Sequence, residues 1–254
     1  MPPISATIIT YNEARNIARA VRSLSCADEI VVVDAGSKDD TREIAASLGA
    51  RVIVHPWEGF AAQKNFAAGE ARYDWIFSLD ADEELDADAQ EAVRRWKSSE
   101  PTAAGYRFAR RARYLGRWIF HSGWYPDRKL RLYDRRNGRW MGAYVHESVF
   151  VNAAVETLPG EILHYTCDSL AKHKQRIEFY TNLAAREMFG RHETAGPLKR
   201  MFAPPWIFLH TYFLRLGILD GTQGFLIAWM AARYVRRKYA KWARLCAEVE
   251  DSRW

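Results

Sequence analysis

Cysteine is scarce. The three that occur, Cys26, Cys167 and Cys246, lie far apart, with no C-x-x-C pair and no Cys/His spacing suited to zinc. That excludes a disulfide framework or a zinc module and predicts reduced thiols in a cytosolic protein. No apolar run reaches the ~18–20 residues of a spanning helix. The opening Met1-Pro2-Pro3-Ile4-Ser5 has no basic stretch or long apolar core, which predicts no signal peptide. Repeats and low-complexity tracts are missing. So is a G-x-G-x-x-G after the first strand, where Thr10-Tyr11-Asn12-Glu13 stands instead. That argues against a dinucleotide-binding oxidoreductase or a nucleotidyltransferase.

What is present is globular: 254 residues, 48% hydrophobic and 27% charged, enough for one large domain or a domain with an appendage. Aromatics are abundant, with 10 Trp, 12 Tyr and 12 Phe, more than a core alone needs. Some are expected in a ligand groove or at a membrane interface. The net charge of +6 is unevenly placed. Residues 1–193 carry 27 basic and 27 acidic side chains, whereas residues 194–254 carry 10 and 4. This predicts a neutral body, 1–193, and a basic appendage, 194–254, rather than a nucleic-acid-coating surface.

The first hundred residues alternate strand and helix patterns. Ile4–Thr10, Ile30–Asp34, Arg51–Val54 and Trp75–Leu79 read as strands. Between them lie helices with Ile17, Val21 and Leu24 on one face, with an S-x-x-D capping spacing at Ser37–Asp40, and over 61–71. Asn12 and Asp86 read as helix caps, and Gly49 as a helix exit. The order predicts an α/β fold with a doubly wound, mostly parallel sheet. Ligands bind such sheets at the carboxyl ends of the strands, here Thr10–Glu13, Asp34–Ser37 and Asp80–Asp82. Strand-like pieces at 105–109, 129–133 and 148–151 suggest that the sheet continues, and 169–192 reads as a helix.

Asp80-Ala81-Asp82 follows an apolar strand directly. Hard cations such as Mg²⁺ or Mn²⁺ take one or two carboxylates plus phosphate oxygens, so this D-x-D suits a cation bridging protein and diphosphate. A merely solvated acidic loop is the alternative, since Glu83, Glu84, Asp86 and Asp88 follow. Three companions decide between them: I-I-T-Y-N-E, V-V-V-D-A-G-S-K-D-D-T and Q-K-N-F-A stand in order before W-I-F-S-L-D-A-D-E. Together they resemble family 2 glycosyltransferases over roughly residues 4–165. Ala35 departs from the commoner D-D-G-S.

The resemblance implies a GT-A fold, a UDP-sugar donor, a divalent cation (Mg²⁺ or Mn²⁺) and inversion at the transferred sugar. Thr10, Tyr11 and Glu13 would line the nucleoside pocket, and Asp34 would accept from the uracil imide. Lys64 and Asn65 would contact the nucleotide or its phosphates. Asp80 would face ribose or metal, and Asp82 would ligate the metal. Core packing is the other reading of Tyr11, and a solvated helix face that of Lys64. Inversion needs a base on the acceptor hydroxyl. Glu147 stands where related enzymes place that acid, with Asp127 and Asp134 as rivals and pairing with a local arginine as its structural alternative. His164 completes the metal site or serves as a buried structural histidine. Arg128 and Arg131 clamp phosphates or an anionic acceptor, or face solvent. Trp124 and Tyr125 stack on a sugar or pack in the core.

The tail has charge-free stretches at 201–214 and 221–232, then Arg233, Arg236, Arg237, Lys238, Lys241 and Arg244 interleaved with aromatics. Such a segment suits an anionic membrane surface, or else a dimerisation arm or helical lid. The motif order, with His146-Glu147 and L-G-I-L-D-G-T-Q-G at 216–224, resembles bacterial glucosyltransferases of the lipopolysaccharide inner core. That implies glucose from UDP-glucose, a heptose of a lipid-linked acceptor, and a peripheral place on the cytoplasmic face of the inner membrane, with no nucleic acid. An exopolysaccharide, polyprenyl-linked or protein acceptor is the alternative, and a non-enzymatic membrane scaffold a remote one.

Overall fold

A computed structural model of the chain describes residues 1–142 and 147–251. These fall into two compact units: Met1–Arg111 with Asp127–Tyr165, and Ala112–Pro126 with everything from Thr166 onward.

The first unit is built on a mixed sheet. Strands β1 (Ile4–Thr10), β2 (Glu29–Asp34), β3 (Arg51–Val54) and β4 (Trp75–Asp80) form a parallel block in the order β3-β2-β1-β4. Nearly every residue of β1 is buried, as a central strand covered on both faces must be. Helices α1 (Ile17–Ser23), α2 (Thr41–Ser47) and α3 (Phe60–Glu70) are the crossovers. Ile17, Val21 and Leu24 enter the core as their spacing requires. Beyond β4 the sheet turns antiparallel. After β5 (Glu83–Leu85) and α4 (Ala87–Lys97) come β6 (Gly105–Tyr114) and β8 (Asp127–Asp134), with the short β7 (Arg117–Trp118) between them belonging to the second unit. β8 pairs with both β4 and β6, and β5 pairs antiparallel with β11 (Val155–Cys167). A separate hairpin joins β9 (Gly138–Met141) and β10 (Ser148–Val151).

Register places the site. Thr10 stands beside Asp34, and Ile9 beside Asp80, so the three polar signatures share one edge of the sheet. His164 pairs with Glu83, which brings β11 against the D-x-D loop. In β8, Tyr106 faces Leu132 but Arg107 faces Leu130, so Arg131 is the extra residue of a β-bulge.

Asp86 caps α4 through the Ala89 N–H at 2.7 Å, as expected. Two other caps are corrected. Asn12 has φ 55° and bridges to the next loop, accepting from the Lys38 N–H at 2.8 Å. Ser37 donates to Asp34 instead of capping α2, and Asp40 stands at that N-terminus. Short Asn and Ser side chains reach any nearby backbone group, and here loop–loop partners win.

The second unit is helical: α5 (Leu170–Gly190), α6 (Pro197–Leu209), a π-helical turn His210–Leu214, a 3₁₀ turn Gly217–Asp220 and α7 (Gly221–Asp251). It therefore begins well before residue 194, where the charge distribution changes. The reason is packing: Met188 of α5 shares a cluster with Tyr239, Val235 and Trp242 of α7. Glu178 binds Arg237 and Lys241. Segment 112–126 joins because buried Asp220 accepts from the Phe120 and His121 N–H groups at 3.1 Å and from Ser122 Oγ at 2.9 Å. The glycines of L-G-I-L-D-G-T-Q-G are needed here. A Cβ on Gly224 would lie 1.8 Å from the Gly217 carbonyl oxygen.

Candidate active site

At the carboxyl edge of the parallel block, Tyr11 is 54% exposed, so it is no core residue. Beneath it the Thr10 hydroxyl is buried and has no hydrogen-bond partner among the described residues. Such a group is costly unless a ligand or water completes it. Glu13 is anchored locally, its Oε2 accepting from Asn16 at 2.6 Å. Asp34 is fully enclosed: Oδ1 accepts from the Gly36 and Ser37 N–H groups at 2.9 and 2.7 Å, and Oδ2 from the Ser37 hydroxyl. Its carboxylate builds the loop.

Next to this edge runs a chain of alternating charges. Lys64 is 3% exposed, which overturns the solvated-helix reading. Its Nζ lies 2.8 Å from Asp80 Oδ1, 3.5 Å from Glu147 Oε1 and 4.2 Å above the Trp140 ring. Asp80 Oδ2 takes Arg131 at 2.9 Å, and Arg131 also binds Glu83 at 2.7 Å. Glu83, fully buried, meets Arg110 at 3.1 Å, and Arg110 meets Asp127 at 2.6 Å. Lys129 closes the series at 3.1 Å from Asp127. Burial pushes the Asp80 carboxyl up, but Arg131 and Lys64 outweigh it and hold it well below the usual carboxylate range. Asp127 is lowered in the same way, with Arg110 and Lys129 overcoming its burial.

Four carboxylates and four cations thus neutralise one another. Asp82 stands outside the series. Its Oδ2 lies 3.3 Å from His164 Nε2, and no Lys or Arg pairs with it among the described residues. A carboxylate with no Lys or Arg at ion-pair distance among the described residues, beside an imidazole nitrogen, is a donor set that fits a divalent ion. No three His, Cys, Asp or Glu side chains converge as a finished site among the described residues. Substrate oxygens would have to complete the coordination, which is how Mg²⁺ is commonly held. Asp80, with both oxygens taken by cations, is not disposed to join it.

Glu147 carries the other free group. Its Oε2 is buried and lacks a partner among the described residues, while Oε1 faces Lys64. Glu147 pairs with no arginine there. His146 lies outside the described residues. The rivals are engaged: Asp127 by Arg110 and Lys129, and Asp134 by Arg136 at 2.7 Å. Asp134 also pairs in register with Trp75, at the start of β4 and hence the far end of the sheet.

Other expected residues serve differently. Asn65 spends its amide on the Trp140 backbone, at 2.9 Å in both directions. Arg128 is exposed while Arg131 is buried, since residues three apart on a strand face opposite sides. Trp124 and Tyr125 belong to the second unit. There Trp124 packs edge-on to Tyr114 at 5.5 Å, and Tyr125 edge-on to Phe120 at 6.0 Å. Glu83, Arg110 and Trp140 went unrecognised. Glu83 had a signal, three residues after Asp80, whose N–H it accepts at 3.1 Å.

Comparison with known proteins gives the family. The sequence profile described as Glycosyl transferase family 2 matches residues 5–158. An uncharacterized glycosyltransferase of Rickettsia typhi is 31% identical over 250 residues, covering 93% of this chain and 86% of its own length. LpsC of Rhizobium meliloti, a lipopolysaccharide core biosynthesis glycosyltransferase, is 29% identical over 264 residues, covering 98% and 97%. Glucosyl-3-phosphoglycerate synthase from Mycobacterium tuberculosis, solved with Mn²⁺ and UDP, aligns at a TM-score of 0.34 and 25% identity over 45% of each chain, too loosely to carry any residue role. On the profile match and the length-wide relatives, the chain belongs to glycosyl transferase family 2.

Proposed function

We propose that this glycosyltransferase moves a hexose, glucose from UDP-glucose, with inversion onto a heptose of a lipid-linked lipopolysaccharide inner-core acceptor. The observation that carries the chemistry is Glu147: a buried carboxylate oxygen without a partner among the described residues, beside the Lys64–Asp80 pair. Glu147 takes the proton from the attacking hydroxyl, where a positioned carboxylate contributes ~10²–10⁴-fold. Tyr11 stacks on the base, and the free Thr10 hydroxyl meets the nucleoside. Lys64 shares its charge with the diphosphate. Asp82 and His164 hold a divalent cation, which supplies charge neutralisation at the leaving diphosphate. The lipopolysaccharide-core part of this reading is supported by the likeness to LpsC along nearly the full chain.

The same reading places the protein peripherally on the cytoplasmic face of the inner membrane. No helix among the described residues is long and apolar enough to cross a membrane. Yet α6 buries none of its residues and exposes Leu198, Met201, Phe202, Trp206 and Leu209. An amphipathic surface of this kind, followed by the basic residues of α7, suits an anionic interface.

The test is thermal stability against a panel of nucleotide sugars with and without Mn²⁺. UDP-glucose with Mn²⁺ is expected to stabilise most, by ~2.7 kcal/mol at a hundred times its Kd. Equal stabilisation by unrelated nucleotides, or none by UDP-glucose, overturns the donor assignment. Transfer of labelled glucose to a heptose-terminated lipid-linked core, and not to the core lacking heptose, tests the acceptor.

A further inference from the structure

Between α6 and α7 runs an open groove of about 460 Å³. Its walls are Pro204, Pro205, Phe208, Phe225, Trp229 and Ala232, and its lining also includes Arg233 and Arg236. The volume lies within the ~300–1,000 Å³ of sites that hold small amphiphiles and drug-sized ligands. Along α7 the groove extends from Phe225 to Arg236, about 16 Å at the helical rise. It is therefore elongated, apolar over most of its length, and cationic at one end.

The local causes are clear. Pro204 and Pro205 lack N–H groups and present flat rings instead of long side chains. Ala232 leaves the opposite wall low. Phe225 stacks on Trp229 at 6.5 Å, and Phe208 meets Phe225 edge-on at 5.6 Å, which holds the walls apart.

The arginines of α7 are sorted. Arg237 and Lys241 are bound to Glu178 of α5. Arg233 and Arg236 have no carboxylate partner among the described residues, and no acid lines the groove. Two unpaired guanidiniums at the end of an apolar trough match an anionic head on an acyl chain. A second copy of this chain fits poorly, because a two-fold axis through the groove would set its arginine end against the aromatic end of the other copy, and the groove lining supplies no anion for either guanidinium.

We propose that this groove seats one acyl chain of an anionic phospholipid of the bilayer, with Arg233 and Arg236 on its phosphate. This rests on the membrane placement proposed above and deepens it, replacing general adhesion with a built lipid slot.

The full-length protein is sedimented with vesicles of phosphatidylglycerol and phosphatidylcholine, and its bound lipid is counted by native mass spectrometry. Ala232→Phe fills the groove without changing charge. Arg233→Gln with Arg236→Gln removes the head contacts without changing packing. Lys238→Gln with Arg244→Gln removes the same charge elsewhere on α7. The slot predicts one phosphatidylglycerol per wild-type chain, lost in the first two variants. Vesicle affinity should fall about tenfold or more in those two, and clearly less in the third. If Ala232→Phe binds as well as or better than wild type, its added apolar surface is simply dipping into the bilayer. The slot is then wrong while the membrane placement stands. Equal losses in the two charge pairs overturn the slot in favour of diffuse attraction. Failure of the wild type to bind anionic vesicles overturns the placement and the slot together.

Discussion

The side chain of Asn65 brackets the backbone of Trp140, donating from Nδ2 to its carbonyl and accepting at Oδ1 from its N–H, each at 2.9 Å. The neighbouring Lys64 lies over the Trp140 ring. Two adjacent residues of α3 thus pin one residue of β9, seven positions before Glu147. Asn65→Ala leaves two backbone groups unsatisfied, at ~1–3 kcal/mol each where they are shut from water. The expected result is a lower melting temperature and reduced turnover with UDP affinity nearly unchanged, read by calorimetry and initial rates. A matching loss of UDP affinity would return Asn65 to the nucleotide.

Glu147→Gln keeps the shape of the side chain and removes its basicity. UDP-glucose binding should persist while transfer falls by ~10²–10⁴-fold. Isothermal titration and a UDP-release assay separate the two quantities. Wild-type turnover would exclude Glu147. Asp127 would then be the remaining rival, since Asp134 sits at the opposite end of β4.

Asp82 and His164 differ in what they offer a cation: a full negative charge from one, a neutral nitrogen from the other. Asp82→Asn should therefore weaken the Mn²⁺ dependence of UDP binding more than His164→Gln does. Chelation by EDTA should bring wild type down to the level of Asp82→Asn. Manganese titrations followed by electron paramagnetic resonance check both orderings.

Arg131 is held by Asp80 and Glu83, and burial alone would push its guanidinium down; the two acids more than reverse this and raise it. Arg131→Met strands a fully buried Glu83 with only Arg110 beside it. Breaking a buried pair on one side costs ~3–5 kcal/mol. Arg131→Met with Glu83→Gln should recover much of that loss. Urea unfolding of the single and double variants measures the coupling.

How much of this was legible depended on what each residue needed in order to be placed. The parallel block could be read because β-branched runs buried on both faces end abruptly in Thr10, Asp34 and Asp80. The antiparallel half was less visible, since β8 carries Arg128, Lys129 and Arg131 inside a strand. Only the burial of Arg131, paired with Asp80 and Glu83, shows which of them turns inward. Glu83 and Glu84 are indistinguishable in D-A-D-E-E until β11 pairs with β5 and buries the first. Asn65 resembled a ligand residue because nothing local reveals a partner 75 positions away. The tail was recognised as distinct by charge. Its union with segment 112–126 depends on Asp220, whose bonds span about a hundred residues of sequence.

The helical unit contains a titrating pair of its own. Tyr114 Oη and His173 Nδ1 are 2.7 Å apart. Burial pushes the His173 imidazole down, with Arg176 adding to it, and burial pushes the Tyr114 phenol up. Both shifts favour the neutral forms, so the phenol donates and the imidazole nitrogen accepts. Protonating Nδ1 removes that acceptor. Because the folded pKa lies below the unfolded one, near 6.5, the unfolded chain binds more protons in the interval between them. The contribution is complete above the unfolded value and is lost as pH falls through the interval towards the folded one. Stability should thus decline on acidification from pH 7.5, with a slope from this group of no more than ~1.4 kcal/mol per pH unit. His173→Gln should flatten that part of the profile while lowering the plateau. If the difference between wild type and His173→Gln is constant from pH 7.5 to 5, the imidazole does not titrate with folding and the assignment of donor and acceptor fails.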